Sequence, residues 1–146
     1  MELEHEKSAG ALFEEGFNCS QSVCAAFSDE FGFEREQALR VSSAFGGGMG
    51  HNDEVCGAVS GALMVIGMKY GRVVAEDLEA KQKCYDLARE FFMEFRSLHG
   101  SIRCTDLLEY DISTEEGLEM AREKDLFNTR CVHFVSDAAK MLDRIL

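Results

Sequence analysis

Apolar residues recur along the chain at intervals of three and four, and the runs they form are cut by glycines and by small polar residues suited to starting a helix. "ELEHEKSAGALFEEG" predicts a first helix from Glu2, stopped by Gly16. "NCSQSVCAAFSDEFG" predicts a second, capped by Asn18 and ended by Gly32. In "EREQALRVSSAFGGG" the spacing turns Leu39, Ser42 or Ser43, and Ala44 inward. "DEVCGAVSGALMVIGMKYG" is apolar on every side, the pattern of a buried central helix, with Gly57, Gly61 and Gly67 leaving room for neighbours to pack close. The longest run, "AEDLEAKQKCYDLAREFFMEFRSLHG", carries one stripe of Leu78, Tyr85, Phe92 and Phe95, widened by Cys84, Leu87, Phe91 and Leu98. Three further helices are expected: a short one opening at Ser101, one with Ser113 and Glu116 at capping-box spacing, and a last one from Asn128.

No internal repeat or linker divides the chain, so residues 1–146 are expected to form one domain. The class is all-α: a single-domain helical bundle of about seven to eight helices around the buried glycine-rich helix. Composition agrees. There is no proline, 46% of residues are hydrophobic, and 11 phenylalanines can fill a core.

Charge narrows the function. A net charge of −12 repels phosphate backbones and anionic lipid, which argues against nucleic acid and against a membrane surface. No run reaches the ~18 to 20 apolar residues that span a bilayer, and the acidic start "MELEHEKSAG" lacks the pattern of a signal peptide. The expected location is cytoplasmic. In that reducing compartment six cysteines are reactive, metal-binding or buried rather than a disulfide framework.

Four of the six share a local address. Asp53-x-x-Cys56, Ser101-x-x-Cys104 and Asn128-x-x-Cys131 each set a thiol at the third helical position behind a capping residue, and Cys19 follows Asn18 directly. The first turn of a helix has free N–H groups and the positive end of the dipole, which favour thiolate. Arg103 and Arg130 precede two of these cysteines, and His51, His99 and His133 lie near three. Cys24 and Cys84 fall on apolar stripes instead and are expected in the core.

The long gaps between Cys19, Cys56, Cys104 and Cys131 mean that only the fold can assemble a site from them. Paired C-x-x-C knuckles are absent, which disfavours structural zinc, and so is C-x-x-C-H, so covalent haem is not expected. Two chemistries remain: an iron–sulfur cluster or other metal held by the four thiolates as cofactor and metal ligands, or thiol–disulfide exchange with Cys56 as the catalytic nucleophile. His51 is a candidate general base for Cys56, and Met49, Met64 and Met68 are candidate soft ligands with core packing as their simpler role. A third alternative is a non-catalytic structural or interaction module whose cysteines only hold helices together. Gly46, Gly47, Gly48 and Gly50 lack the lysine and Ser/Thr of a P-loop and follow no strand, so no nucleotide is expected. Their bare backbone suits a tight turn that can also offer N–H groups to an anionic sulfur.

At "VCGAVSGALMVIGMKYG" the chain resembles the C-GCAxxG-C-C family of redox-active proteins, through the CGAxxG motif of Cys56 to Gly61. "GFNCSQSV" resembles the family's first cysteine segment (Cys19), "HGSIRCTDLL" its third (Cys104), and "LFNTRCVHFVSDAAKML" its fourth (Cys131). The resemblance runs over residues 8 to 145, and Cys24 and Cys84 fall outside its pattern. It implies redox activity. Relatives include selenoproteins, and a similar cysteine module precedes the haem segment of split-Soret cytochromes, where a non-haem iron–sulfur centre has been proposed; this chain carries no haem motif. A redox partner is implied but not identified, and so helical a small protein is compatible with a homodimer.

Overall fold

A computed structural model describes residues 4–146; Glu2, the expected start of the first helix, lies outside the described residues. The order is α1 (Glu4–Glu15), α2 (Cys19–Ser28), α3 (Arg35–Ser42), a single turn α4 (Gly46–His51), α5 (Gly57–Tyr70), α6 (Leu78–His99), α7 (Cys104–Leu108), α8 (Glu115–Glu123), α9 (Leu126–Thr129) and α10 (Cys131–Ile145). Among the described residues there is no strand, only an isolated antiparallel bridge between Val55 and Arg103. The fold is all-α.

The buried centre is α5, as its apolar pattern predicts. Residues 57–62, Val65 and Ile66 are all buried, and α2, α6 and α10 pack around it. The closest crossing is with α2. A Cβ on Gly61 would stand 2.7 Å from the carbonyl oxygen of Ser20, and one on Gly57 would stand 2.9 Å from the Ser20 nitrogen, so glycine sets how near these two helices come. Gly67 differs from expectation: nothing lies within 4 Å of where its Cβ would be, and it faces open space.

The long helix α6 also departs from its pattern. Phe91 and Phe95 are fully buried, but Leu78, Tyr85 and Leu98 are exposed. The inward face runs through Cys84, Leu87, Phe91 and Phe95, and Leu78 and Tyr85 lie on a different side of the helix from it.

Helix starts shift by a few residues for local reasons. Thr114, not Ser113, caps α8 by accepting from the Gly117 N–H at 3.0 Å, because Ser113 is turned onto Asp111. Ser101 Oγ donates to Asp106 and accepts from the Arg103 N–H, and α7 begins only at Cys104. Asn128 falls inside α9, its amide bonded to Asp125, so α10 begins at Cys131. In α3 it is Ala38 and Ser42 that are buried; Ala44 is exposed.

Candidate functional site

The four helix-start cysteines belong to four different elements. Cys19 is the first residue of α2, Cys104 of α7 and Cys131 of α10, and Cys56 is the residue that caps α5. Each is therefore earlier in its helix than the third position expected for three of them, and Asp53 is no cap. A reciprocal capping box fixes the α2 start: Asn18 Oδ1 accepts from the Gln21 N–H at 2.9 Å and Gln21 Oε1 accepts from the Asn18 N–H at 3.1 Å. Asn18 Nδ2 also donates to the Ser43 carbonyl, tying this start to the end of α3.

Cys56 and Cys104 are joined through the backbone. The Cys56 N–H donates to the Ile102 carbonyl at 2.7 Å and the Cys104 N–H to the Glu54 carbonyl at 2.9 Å, on either side of the Val55–Arg103 bridge. Glycines clear the space between segments. A Cβ on Gly48 would meet the Cys104 Cβ at 2.9 Å, and one on Gly57 would meet the Cys19 Cβ at 3.0 Å.

Between α3 and α5 the backbone winds the wrong way. Gly47, Gly48, Met49 and Gly50 have φ of 66°, 69°, 66° and 72°, and His51 and Asp53 follow at 62° and 63°. Glycine adopts this region freely, whereas each of Met49, His51 and Asp53 costs about 1–2 kcal/mol there. The Glu54 N–H donating to the Gly48 carbonyl and the Asn52 amide donating to the Met49 carbonyl hold the turn. Strain of this kind persists where surrounding structure enforces it and clusters at functional sites.

The turn forms one wall of a cavity of about 510 Å³, and Cys19, Cys56, Cys104 and Cys131 all line it. All four are buried, and none is in a disulfide. Leu107, Leu108 and Phe134 lie buried beside them, while Phe17, Phe127 and His51 are nearer solvent.

The thiols act on one another. Each of the four interacts electrostatically with the other three. Among the described residues, however, no three His, Cys, Asp or Glu side chains stand close enough to grip one metal ion. Cys19 and Cys131 act on each other most strongly. This, with burial, pushes Cys19 well above its ordinary value of 9.0 and draws Cys131 below it. Burial pushes Cys56 up to about 12, outweighing the Ala58 and Val59 N–H groups that face its sulfur. Burial, then Cys56 and Cys131, pushes Cys104 higher still.

Helix starts were expected to favour thiolate at all four positions. Desolvation wins at Cys56 and Cys104, the Cys131 thiol and then burial raise Cys19, and thiolate is favoured at Cys131 rather than Cys56. Arg103 and Arg130 do not assist, since they pair with Asp53 and Glu109. His99 pairs with Asp137 and packs edge-on against Phe134, and His133 is exposed outside this cavity. His51 alone of the three lines it, its ring near Gly47 and 6.4 Å from the Phe127 ring.

Cys24 packs in a separate small cluster with Leu12, Ala25 and Ala38, where burial pushes its thiol up to about 11. Met64 and Met68 pack against that cluster, away from the four thiols. Cys84 is half-buried against the main core. Sequence reasoning missed the aromatic residues of the thiol cavity, although each stands close in sequence to a cysteine: Phe17 before Cys19, Phe127 and Phe134 on either side of Cys131.

Among the described residues no helix is long and apolar enough to cross a membrane. No curated protein and no solved structure matched the chain. One family did, that described as "Putative redox-active protein (C_GCAxxG_C_C)", over residues 17–145, which include all four cavity cysteines. With nearly its whole length matched, the chain belongs to the C_GCAxxG_C_C family of redox-active proteins.

Proposed function

We propose that Cys19, Cys56, Cys104 and Cys131 together hold an iron–sulfur cluster, and that the protein carries or senses electrons. The observation that carries this reading is the convergence of four thiols, from four separate helix starts, on one cavity. The four thiols act on one another in every pair, and four thiolates are the ligand set of an iron–sulfur cluster.

The residues fit such a group chemically. Buried thiols raised in pKa are poor anions alone, but metal cations supply the charge that removes their protons. The Ala58 and Val59 N–H groups then face a Cys56 thiolate, which strengthens both contacts. Gly48 and Gly57 keep the space between the sulfurs clear of side chains, and the aromatic walls limit water. When bound, the cluster would supply a reversible electron couple. A reducing cytoplasm, which keeps such thiols free for ligation, is the setting this proposes.

One observation favours a second reading. Cys19 and Cys131 line the same cavity and interact most strongly of the four, and of the two Cys131 is drawn toward thiolate. Here the Cys131 thiolate attacks the S–S bond of a disulfide substrate, forming a mixed disulfide and releasing one thiolate. Cys19 then gives its proton to the thiolate just released and attacks the Cys131 sulfur, releasing the second thiolate and leaving a Cys19–Cys131 disulfide. The substrate is reduced and the pair oxidised. In this reading Cys131 takes the role that the sequence suggested for Cys56.

Purification without oxygen, followed by iron and acid-labile sulfide analysis and a visible spectrum, separates the two. Iron with sulfide, and absorbance abolished in Cys56→Ser, is the expected result. Metal-free protein that exchanges with a small disulfide, and loses that activity in Cys131→Ser but not in Cys56→Ser, transfers the assignment to the second reading.

A further inference from the structure

The thiol cavity is larger and less polar than four sulfurs require. Its volume of about 510 Å³ falls within the ~300–1,000 Å³ of small-molecule sites. The burial pattern gives it a floor and a mouth. The four cysteines, Leu107, Leu108 and Phe134 are buried, whereas Phe13, Phe17 and Phe127 are half-buried and His51 and Gly50 are exposed. The mouth is thus framed by aromatic rings and by the bare backbone of the left-handed turn.

Among the described residues, charge is absent from the wall of this cavity, as it is from the smaller one beside Cys24, but only this one holds the four thiols. The chain has 27 acidic and 15 basic residues, yet among the described residues no Asp, Glu, Lys or Arg lines it. The nearest arginines, 103 and 130, are held by Asp53 and Glu109. The polar amides at the wall are already engaged: Asn18 with Gln21 and Ser43, Asn128 with Asp125. A phosphate or carboxylate entering here would lose its water and find no cation, and the Ala58 and Val59 N–H groups at the α5 start already face the Cys56 sulfur. A neutral, flat ring system would lose little hydration and could lie against the Phe13, Phe17 and Phe127 rings, with His51 at the rim to meet a polar substituent.

We propose that the cavity binds a neutral aromatic or conjugated small molecule at its mouth, over the thiol floor. This rests on reading the thiol cavity as the working site, and it names the class of molecule that comes within reach of the centre.

The test is equilibrium dialysis of the anaerobically purified protein against prodan, a neutral naphthalene ketone, and in parallel against anionic anilinonaphthalene sulfonate. The other apolar cavity, about 300 Å³ with Val41 and Phe33 in its wall, is the control. Prodan is expected to bind at a single site and to be weakened about tenfold or more by Phe127→Lys and by Phe17→Lys, which lie in different elements, while Val41→Lys leaves it unchanged. Circular dichroism on each variant excludes misfolding. Absence of prodan binding, equal binding of the sulfonate, or loss on Val41→Lys alone overturns the proposal. Iron and sulfide measured on the same samples keep the two ideas apart: loss of prodan binding with the cluster present sinks only this inference, and prodan bound to protein lacking iron sinks only the cluster.

Discussion

Cys19 and Cys24 lie five residues apart on one helix, and both are buried, at 8% and 1% exposure. Their surroundings differ completely. Cys19 opens α2 beside three other thiols, with Gly57 cut back to make room for it. Cys24, mid-helix, meets Leu12, Ala25 and Ala38, and its pKa is raised by burial with no other thiol involved. Burial alone therefore says nothing about a cysteine's role. What separates a ligand from a core residue is company, and backbone arranged to admit that company.

Glycine substitutions break this comparison most forcefully. Gly48→Ala places a methyl 2.9 Å from the Cys104 Cβ and from the Glu54 nitrogen, at φ +69°, where an L side chain is strained in any case. It should cost about 2–4 kcal/mol in denaturant unfolding, from overpacking and backbone strain together. Gly57→Ala, pressed against Cys19 and Ser20, should cost about 1–3 kcal/mol and lower occupancy of the centre. Gly67→Ala, facing open space on the same helix, should instead stabilise by about 0.5–1 kcal/mol.

Alkaline titration of the metal-free protein sharpens the comparison by pH. Cys24 and Cys56 are raised from 9.0 to about 11 and about 12. The unfolded chain releases these protons first, so stability is whole below pH 9.0 and falls as pH climbs toward the folded values. Each thiol contributes a slope of about 1.4 kcal/mol per pH unit in that window. Unfolding curves for Cys24→Ala should lose one such slope, ending near pH 11. Asn18→Ala should have the smallest destabilising effect, about 1 kcal/mol in thermal unfolding, through loss of the capping box that orients Cys19.

The parts legible in the sequence are those governed by local rules. The Asn18 cap and Gly32 stop delimit α2 and its final turn because their signals are contained in a few residues. The all-round apolar pattern of α5 marks it as central because no other position in the fold satisfies it. What stayed hidden depends on distant partners. Met49 and His51 carry no signal for left-handed backbone; the surrounding contacts impose it. The Val55–Arg103 bridge pairs residues that the sequence pattern places inside helices. The Leu78–Tyr85 stripe looks like core, but α6 turns the side carrying Cys84, Leu87 and Phe91 inward instead. Thiolate preference was misjudged for a related reason: helix starts are visible in sequence, and the desolvation that outweighs them is not.

The most direct test of the central claim is iron and acid-labile sulfide content in Cys19→Ser and Cys24→Ser, both prepared without oxygen. The account predicts that Cys19→Ser loses the centre while retaining its helical circular dichroism, and that Cys24→Ser keeps the wild-type content. Equal content in the two variants, or loss in Cys24→Ser alone, would contradict it.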